Sequence, residues 1–297
     1  MRPPRVVTMG EAIVALMRHP GQPEGYLGPF ASGAPCIFAS AIGRLGCDAV
    51  VGMGVGDDDF GDLMLGELTA GGVDVSAAHI DPERPTSAAF VRYLEGGSRR
   101  FIFYLDQTAA LEYPADRVTG LLDGADWLHV SGSTLAFGGS MAQATLEAMS
   151  VARERGVPVS LDPNIRAEAS DPDLVAHLRR QAQASQVVFA SEGELEGLGL
   201  SGPELAAGGT LVCHKQGAAG ACVLLDGQWV TVPAIEAELV DPDGAGDIFA
   251  AAFVAATLVG RGPVDSARLA CRVAGESVQV HGPMNSSIEP LIELAGR

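Results

Sequence analysis

The chain has 297 residues, with 19 basic against 37 acidic side chains and a formal net charge of −18. At 47% hydrophobic and 19% charged residues it can bury a sizeable core, which excludes global disorder. The acidic balance argues against general nucleic-acid binding, because phosphate backbones are held mainly by Lys and Arg; a nucleotide in a local anion hole stays possible.

Arg5 to Met9 reads as a short apolar strand broken by Gly10. Residues 18–34 are rich in Gly, Pro and polar groups and predict a turn-laden excursion. From Pro35 to Leu45 apolar residues recur at helical spacing and close on Gly46. Ala49 to Met53 reads as a strand, and 59–70 as a helix ended by Gly71 and Gly72. Asp57, Asp58 and Asp59 resemble a metal cluster but predict a polar cap, with Asp58 or Asp59 at the helix start. At 86–105 two β-rich runs flank Glu95-Gly96-Gly97-Ser98, a strand–turn–strand pattern. From residue 120 onward, β-like runs at 127–131, 158–162, 186–190 and 210–213 alternate with helical segments near 139–155, 173–184 and 193–198. That alternation predicts a mostly parallel sheet with helices on both faces and leaves the hairpin as a candidate lid. The apolar run Ile248 to Val259 is too short for a span of ~20 residues and predicts a buried helix. No secretory leader is evident at the start, and the five scattered cysteines form no CxxC pair. The expectation is a cytoplasmic protein with reduced thiols. His129 reads as a core or edge histidine satisfied by backbone.

Candidate chemistry concentrates in LVDPDGAGDIFAAAF at 239–253. Gly244 and Gly246 would let backbone approach a ligand, and N–H groups at a helix start carry roughly half a positive charge and bind anions. Asp247, in the first turn, is placed to take a proton from a hydroxyl attacking a bound phosphate. On these residues alone, a capping acid in a tight turn is the simpler reading.

Further motifs reverse that balance. DPDGAGDIF at 241–249, SGAPCIFASAIGRLG at 32–46, VGDDDFG at 55–61 and LDPNIR at 161–166 resemble, in order, the signatures of the PfkB (ribokinase-like) carbohydrate kinases. The resemblance implies a three-layer α/β/α fold with a mostly parallel central sheet, a single kinase domain over 1–297, and a small β lid inserted as segments near 11–34 and 86–105. It implies ATP-dependent phosphorylation of a small sugar or sugar acid, with ATP and Mg²⁺ as cofactors. Asp247 would be the catalytic base, and in the loop opened by Gly244 the N–H groups of Ala245, Gly246 and Asp247 would form the anion hole. Arg166 would neutralise developing charge, and Asn164 would lie near substrate and phosphates. Gly33, Ala34 and Tyr104 would meet the sugar; Lys215, Gly217 and Gly220 would flank the nucleotide; Glu194 would help hold Mg²⁺ through water. A homodimer through the lid is the further implication, with no nucleic-acid or membrane partner. A ketose of the fructose or tagatose kind leads, 2-keto-3-deoxygluconate is the alternative, and nucleosides follow.

Four positions depart from the pattern. Ala15 stands where many such kinases place an acid, Ile37 replaces the signature asparagine, Ser191 replaces the asparagine of N-x-x-E, and Asp243 replaces a threonine before G-A-G-D. Leu105 stands where acid-sugar kinases often carry Arg, which counts against a carboxylate-bearing substrate. Each lost polar partner weakens hydroxyl recognition by ~0.5–1.5 kcal/mol. A catalytically weakened sugar- or nucleotide-binding protein of the same fold therefore stays open as a second class.

Overall fold

In the computed structural model, which describes residues 2–18, 25–94, 99–165, 171–288 and 290, strand β1 (Arg5–Met9) turns Val6 and Val7 to opposite sides, and both are buried. Strands β2 (Ile13–Arg18) and β3 (Leu27–Ser32) follow, then α1 (Ala34–Arg44), β4 (Asp48–Gly52), β5 (Gly54–Gly56), α2 (Asp59–Ala70), β6 (Val73–Asp74) and β7 (His79–Asp81). Strands β8 (Ser87–Tyr93) and β9 (Arg99–Tyr104) precede the short helix α3 (Val118–Leu121). Alternation then sets in with β10 (Trp127–Ser131), α4 (Gly132–Phe137), α5 (Gly139–Glu154), β11 (Val159–Asp162), α6 (Pro172–Gln183), β12 (Val187–Ala190), α7 (Glu194–Gly197), α8 (Gly202–Ala207) and β13 (Leu211–Lys215). A hairpin of β14 (Ala221–Leu225) and β15 (Gln228–Val232) leads to α9 (Ala245–Leu258) and α10 (Pro263–Ser277).

Nine strands form the large sheet in the order β15-β14-β13-β12-β11-β10-β1-β4-β6, parallel except at the β13–β14–β15 end. Side chains alternate across it with the strand period of two. Val6, Val51, Phe189 and Val223 pack on one face with α1, α9 and α10, while Val7, Val50, Val188 and Leu224 pack on the other with α5, α6 and α8. The three-layer α/β/α architecture follows from those two apolar faces.

Helix α9 is apolar all round, and Ile248 through Ala256 are all buried. Its alanines let α1 and α10 approach closely, and burial of a side chain such as Phe253 contributes about 1.5–3 kcal/mol. A helix packed on every side holds its N-terminus at one fixed place above the sheet. Asp58 caps α2, accepting hydrogen bonds from the Phe60 and Gly61 N–H groups, as the aspartate run predicts. His129 is a core residue, but its partner is the Ser160 hydroxyl at 2.8 Å rather than backbone, and it stacks on Phe38.

The two excursions meet in a second sheet of four strands, ordered β3-β2-β8-β9. The stretch 18–34, read from sequence as turns, thus contributes the strand Leu27–Ser32 despite its Gly28-Pro29. Its place at the sheet edge explains the tolerance, since an edge strand does not need every N–H in the ladder. The β8–β9 pairing is antiparallel, as the hairpin pattern predicts. Its turn at 95–98 lies outside the described residues. Sequence reasoning did not find the β14–β15 hairpin or α10.

Candidate active site

One cavity of about 860 Å³ opens at the carboxyl ends of the parallel strands, where ligands bind in open α/β sheets. Glu11 enters it after β1, Asp162 and Asn164 at the end of β11, Glu194 after β12, Lys215 at the end of β13 and Gly217 just beyond it. The tip of α9 closes one side and the small sheet the other.

At the tip, Gly244 is the N-cap with φ +74°. A Cβ there would lie 2.8 Å from a side-chain carbon of Pro283 and 2.9 Å from one of Ile37, so only glycine fits. The contact also shows what Ile37 does in place of a polar residue: it buttresses the loop. The first N–H groups of a helix have no intrahelical acceptor; at α9 the Ala245 N–H donates to the Pro242 carbonyl at 3.4 Å, and residues 244–247 line the cavity at the positive end of the dipole. Asp247 shares this cavity. Its carboxyl is held well above the usual carboxylate range, by burial first and then by Asp162; Lys215 opposes the shift, and Asp243 and Glu11 add to it.

The Lys215 ammonium pairs with the buried Asp162 carboxylate. Burial works against the charge on Lys215, yet Asp162 and Glu194 hold its pKa above the ordinary lysine range. Glu194 accepts the Ile165 N–H at 3.0 Å on Oε1 and the Ser191 N–H at 2.6 Å on Oε2. Burial and then Asp162 push its pKa up to about 7, against Lys215 and these two backbone donors. Replacement of the expected asparagine by Ser191 therefore does not release Glu194, because backbone does the holding. Among the described residues no three His, Cys, Asp or Glu side chains cluster as a ready-made metal cage. Oxygen donors without a cage fit Mg²⁺, which keeps several waters and rides on phosphates.

On the acceptor side Glu11 is buried, accepting the Ser133 hydroxyl at 2.7 Å and the Thr134 hydroxyl at 2.6 Å. Gly33 and Ala34 line the cavity at the start of α1; a Cβ on Gly33 (φ +100°) would collide with the Glu11 carbonyl oxygen. Asn164 lines it too, and its side chain donates to Ser131 Oγ at 3.2 Å. Arg99 reaches the cavity from β9 and pairs with Asp243 at 3.1 Å. Beside this pair, the Tyr93 hydroxyl donates to Asp241, which also accepts the Gly282 and Asp243 N–H groups.

Two predicted site residues fall elsewhere, and a third is not among the described residues. Tyr104 is 59% exposed on the far face of the small sheet, against Phe90; strand alternation brings Arg99, Phe101 and Phe103 to the cavity instead. Gly220 lies behind Gly217 and Ala219, packed against the backbone of Val232 and Ala234, and does not line the cavity. Arg166 lies outside the described residues. Sequence reasoning missed Glu11, Asp162 and Arg99. Strand ends were the available signal for the first two.

This cavity, with a glycine-rich helix tip and an acid beside it at the carboxyl edge of a three-layer fold, defines a phosphoryl-transfer site. The model of the pfkB family carbohydrate kinases matches residues 6–290, and the chain belongs to that family. It is an ATP-dependent carbohydrate kinase that works with a divalent metal. It is 34% identical to a fructokinase of Rhizobium leguminosarum bv. trifolii over 84% of this chain and 78% of that one. It is 31% identical to a 2-dehydro-3-deoxygluconokinase of Thermoproteus tenax over 93% and 89% of the two chains. An Escherichia coli protein described as a ribokinase II, solved with ATP and Mg²⁺, superposes with TM-score 0.88 at 32% identity, covering 98% of this chain and 97% of that one.

Proposed function

We propose that the cavity phosphorylates a hydroxyl of a six-carbon ketose, with 2-keto-3-deoxygluconate as the alternative acceptor, and that residues 1–297 form a single kinase domain with the small sheet as its lid. The observation that carries this reading is the position of Asp247, in the first turn of α9 and open to the same cavity as the glycine tip. The names of the fructokinase and deoxygluconokinase relatives support the acceptor class.

Asp247 takes the proton of the attacking hydroxyl. The N–H groups of Ala245, Gly246 and Asp247 receive the charge that grows on the phosphoryl oxygens, electrostatic stabilisation commonly worth several kcal/mol. Lys215 flanks the nucleotide phosphates, Gly217 lies along the nucleotide, and Arg166 adds positive charge to the phosphoryl group. Gly33, Ala34 and Asn164 border the sugar. Glu194 would hold Mg²⁺ through water, and the ion would there supply neutralisation of phosphate charge. The small sheet excludes water from the site. Its outer face exposes Tyr26, Ile102 and Tyr104 around Phe90, which suits a homodimer formed lid to lid. Five buried free cysteines fit a reducing cytoplasm, and among the described residues no helix is long and apolar enough to cross a membrane.

A coupled ADP-release assay across a sugar panel tests the reading. Asp247→Asn slows transfer by about 10²–10⁴-fold while sugar and ATP still bind; a variant with full activity removes Asp247 from the mechanism. Sugar binding without turnover by the unaltered protein would mark a sensor instead. Sedimentation of Tyr104→Glu, expected to be monomeric, tests the dimer.

A further inference from the structure

We propose that a second pocket, behind β13, binds a small heteroaromatic ring that bears an amino group and no phosphate, an aminopurine or aminopyrimidine, and that its occupation tightens nucleotide binding. The pocket is distinct from the transfer cavity.

It has a volume of about 390 Å³, ordinary for a small-ligand site, and lies between the α7–α8 segment and the β13–β15 end of the large sheet. His214 and Gln216 border both cavities. The strand period of two turns Lys215, between them, toward the tip of α9, where its Nζ would lie 3.3 Å from a Cβ on Gly246. The end of β13 is therefore a wall common to the two spaces.

One side of the pocket is aromatic. Trp229 is 44% exposed, and its ring is seated on Gly202, where a Cβ would come within 2.7 Å of it. The His214 ring stands 6.2 Å away, centre to centre. A flat ring gains from stacking on such a surface. The polar groups at its edge are unspent. Among the described residues the Glu196 carboxylate has no hydrogen-bond or ion-pair partner. The Gln216 Oε1 accepts the Cys222 thiol at 3.3 Å, which leaves its amide N–H groups free to donate. A carboxylate acceptor matches an exocyclic amine, and an amide donor matches a ring nitrogen. No Lys or Arg lines the pocket; Arg179 lies by Gly199 and bears on Glu204 instead. A phosphate would thus meet Glu196 with no cation to offset it, so the bare base fits and the nucleotide does not.

A ring that holds Gln216 stiffens the chain between Lys215 and Gly217, both on the nucleotide side. Ordering supplied in advance is not charged to the nucleotide, and by linkage each ligand tightens the other equally.

Calorimetry on the full chain saturated with a non-hydrolysable ATP analogue tests this, with adenine against purine and 2-aminopyrimidine against pyrimidine. Each amino compound should bind about fivefold or more tightly than its partner lacking the amine, and adenine more tightly than AMP. Glu196→Ala should bring each pair to within about twofold, and Trp229→Ala should weaken adenine and 2-aminopyrimidine by about tenfold. Saturating 2-aminopyrimidine should lower the Kd of the analogue by about two- to fivefold. No binding once the analogue is in place, or equal affinities within both pairs, overturns the site. An analogue Kd that stays the same overturns the coupling, and one that rises places the ring in the nucleotide cavity and overturns both. None of these readouts involves transfer, so they stand apart from the identity of the sugar.

Discussion

The tip of α9 and the wall of the small sheet face one another across a single cavity, and they are built on opposite principles. The tip side crowds Asp162, Asp243, Asp247 and Glu194 around Lys215, and burial and then Asp162 push both Glu194 and Asp247 upward. The wall side is phenyl rings backed by alanine and valine, with one cation at its end. Phosphoryl transfer asks for the same charges and donors whatever the acceptor, which leaves the tip little freedom to change. Recognition of the acceptor asks only for complementarity to one molecule, and the wall can be rebuilt without touching the chemistry.

Loss of the base breaks this contrast most sharply. Asp247→Asn should lower kcat by about 10²–10⁴-fold, the usual range for a general base. The same change should raise the melting temperature of the ligand-free protein at pH 8. In the folded state the carboxyl pKa lies above its unfolded value, so the folded form binds its proton more tightly. Its contribution to stability is present below the unfolded pKa and is lost as pH rises through the folded pKa. Asparagine carries no such penalty. Thermal melts from pH 5 to pH 8 check the sign: the gap between variant and parent widens toward pH 8.

Next in size is the pair beneath the tip. Lys215→Met leaves the Asp162 carboxylate, 2% exposed, without its cation. Removing one member of a buried pair destabilises by about 3–5 kcal/mol. Lys215 also holds down the pKa of Glu194 and Asp247, so the acid limb of the pH–rate profile moves to higher pH. Denaturant melts and a pH profile measure the two effects separately. Asp162→Asn in the same background should recover most of the lost stability, and failure to recover would locate the damage elsewhere.

The contrast also explains what was legible in the sequence. Gly244, Gly246 and Asp247 sit within nine consecutive residues, and a helix start needs only local chain to become an anion site. The alternation of strands and helices likewise foretold the layers. The Lys215–Asp162 pair was invisible because 53 residues separate its members; only the order β11-β12-β13 brings them together. On β9 the period of two was plain, but its parity was not. Nothing within RRFIFY says which face meets the cavity, and a slip of one residue selected Tyr104 over Phe103. The pairing of β9 with β8, in which Ala89 stands opposite Phe103, decides it.

Two contacts tie the wall to the tip, and they should differ in worth. Tyr93→Phe removes a donor from the buried Asp241 carboxylate, which organises the turn leading into Gly244. Hydrogen bonds to charged groups contribute about 1.5–3 kcal/mol, and the loss should appear as lower stability at unchanged KM for the sugar.

Arg99→Gln should do the reverse. The Arg99–Asp243 pair is partly exposed, with side chains 32% and 13% accessible, so screening limits it to about 0.5–1 kcal/mol, a factor of roughly two to five. Stability should hardly move. The pair joins the small sheet to the loop beside the base, so weakening it raises KM for the acceptor more than it lowers kcat. Asp243 also bears on Asp247, since its charge helps push the base upward. With Arg99 neutralised that push grows, and the acid limb of kcat/KM shifts to higher pH. Asp243→Asn added to Arg99→Gln removes the extra charge and should return the limb to its original position or below it, with KM still raised. A limb that stays shifted in the double variant would mean that Arg99 acts on the acceptor directly and that the wall and the tip are electrostatically independent.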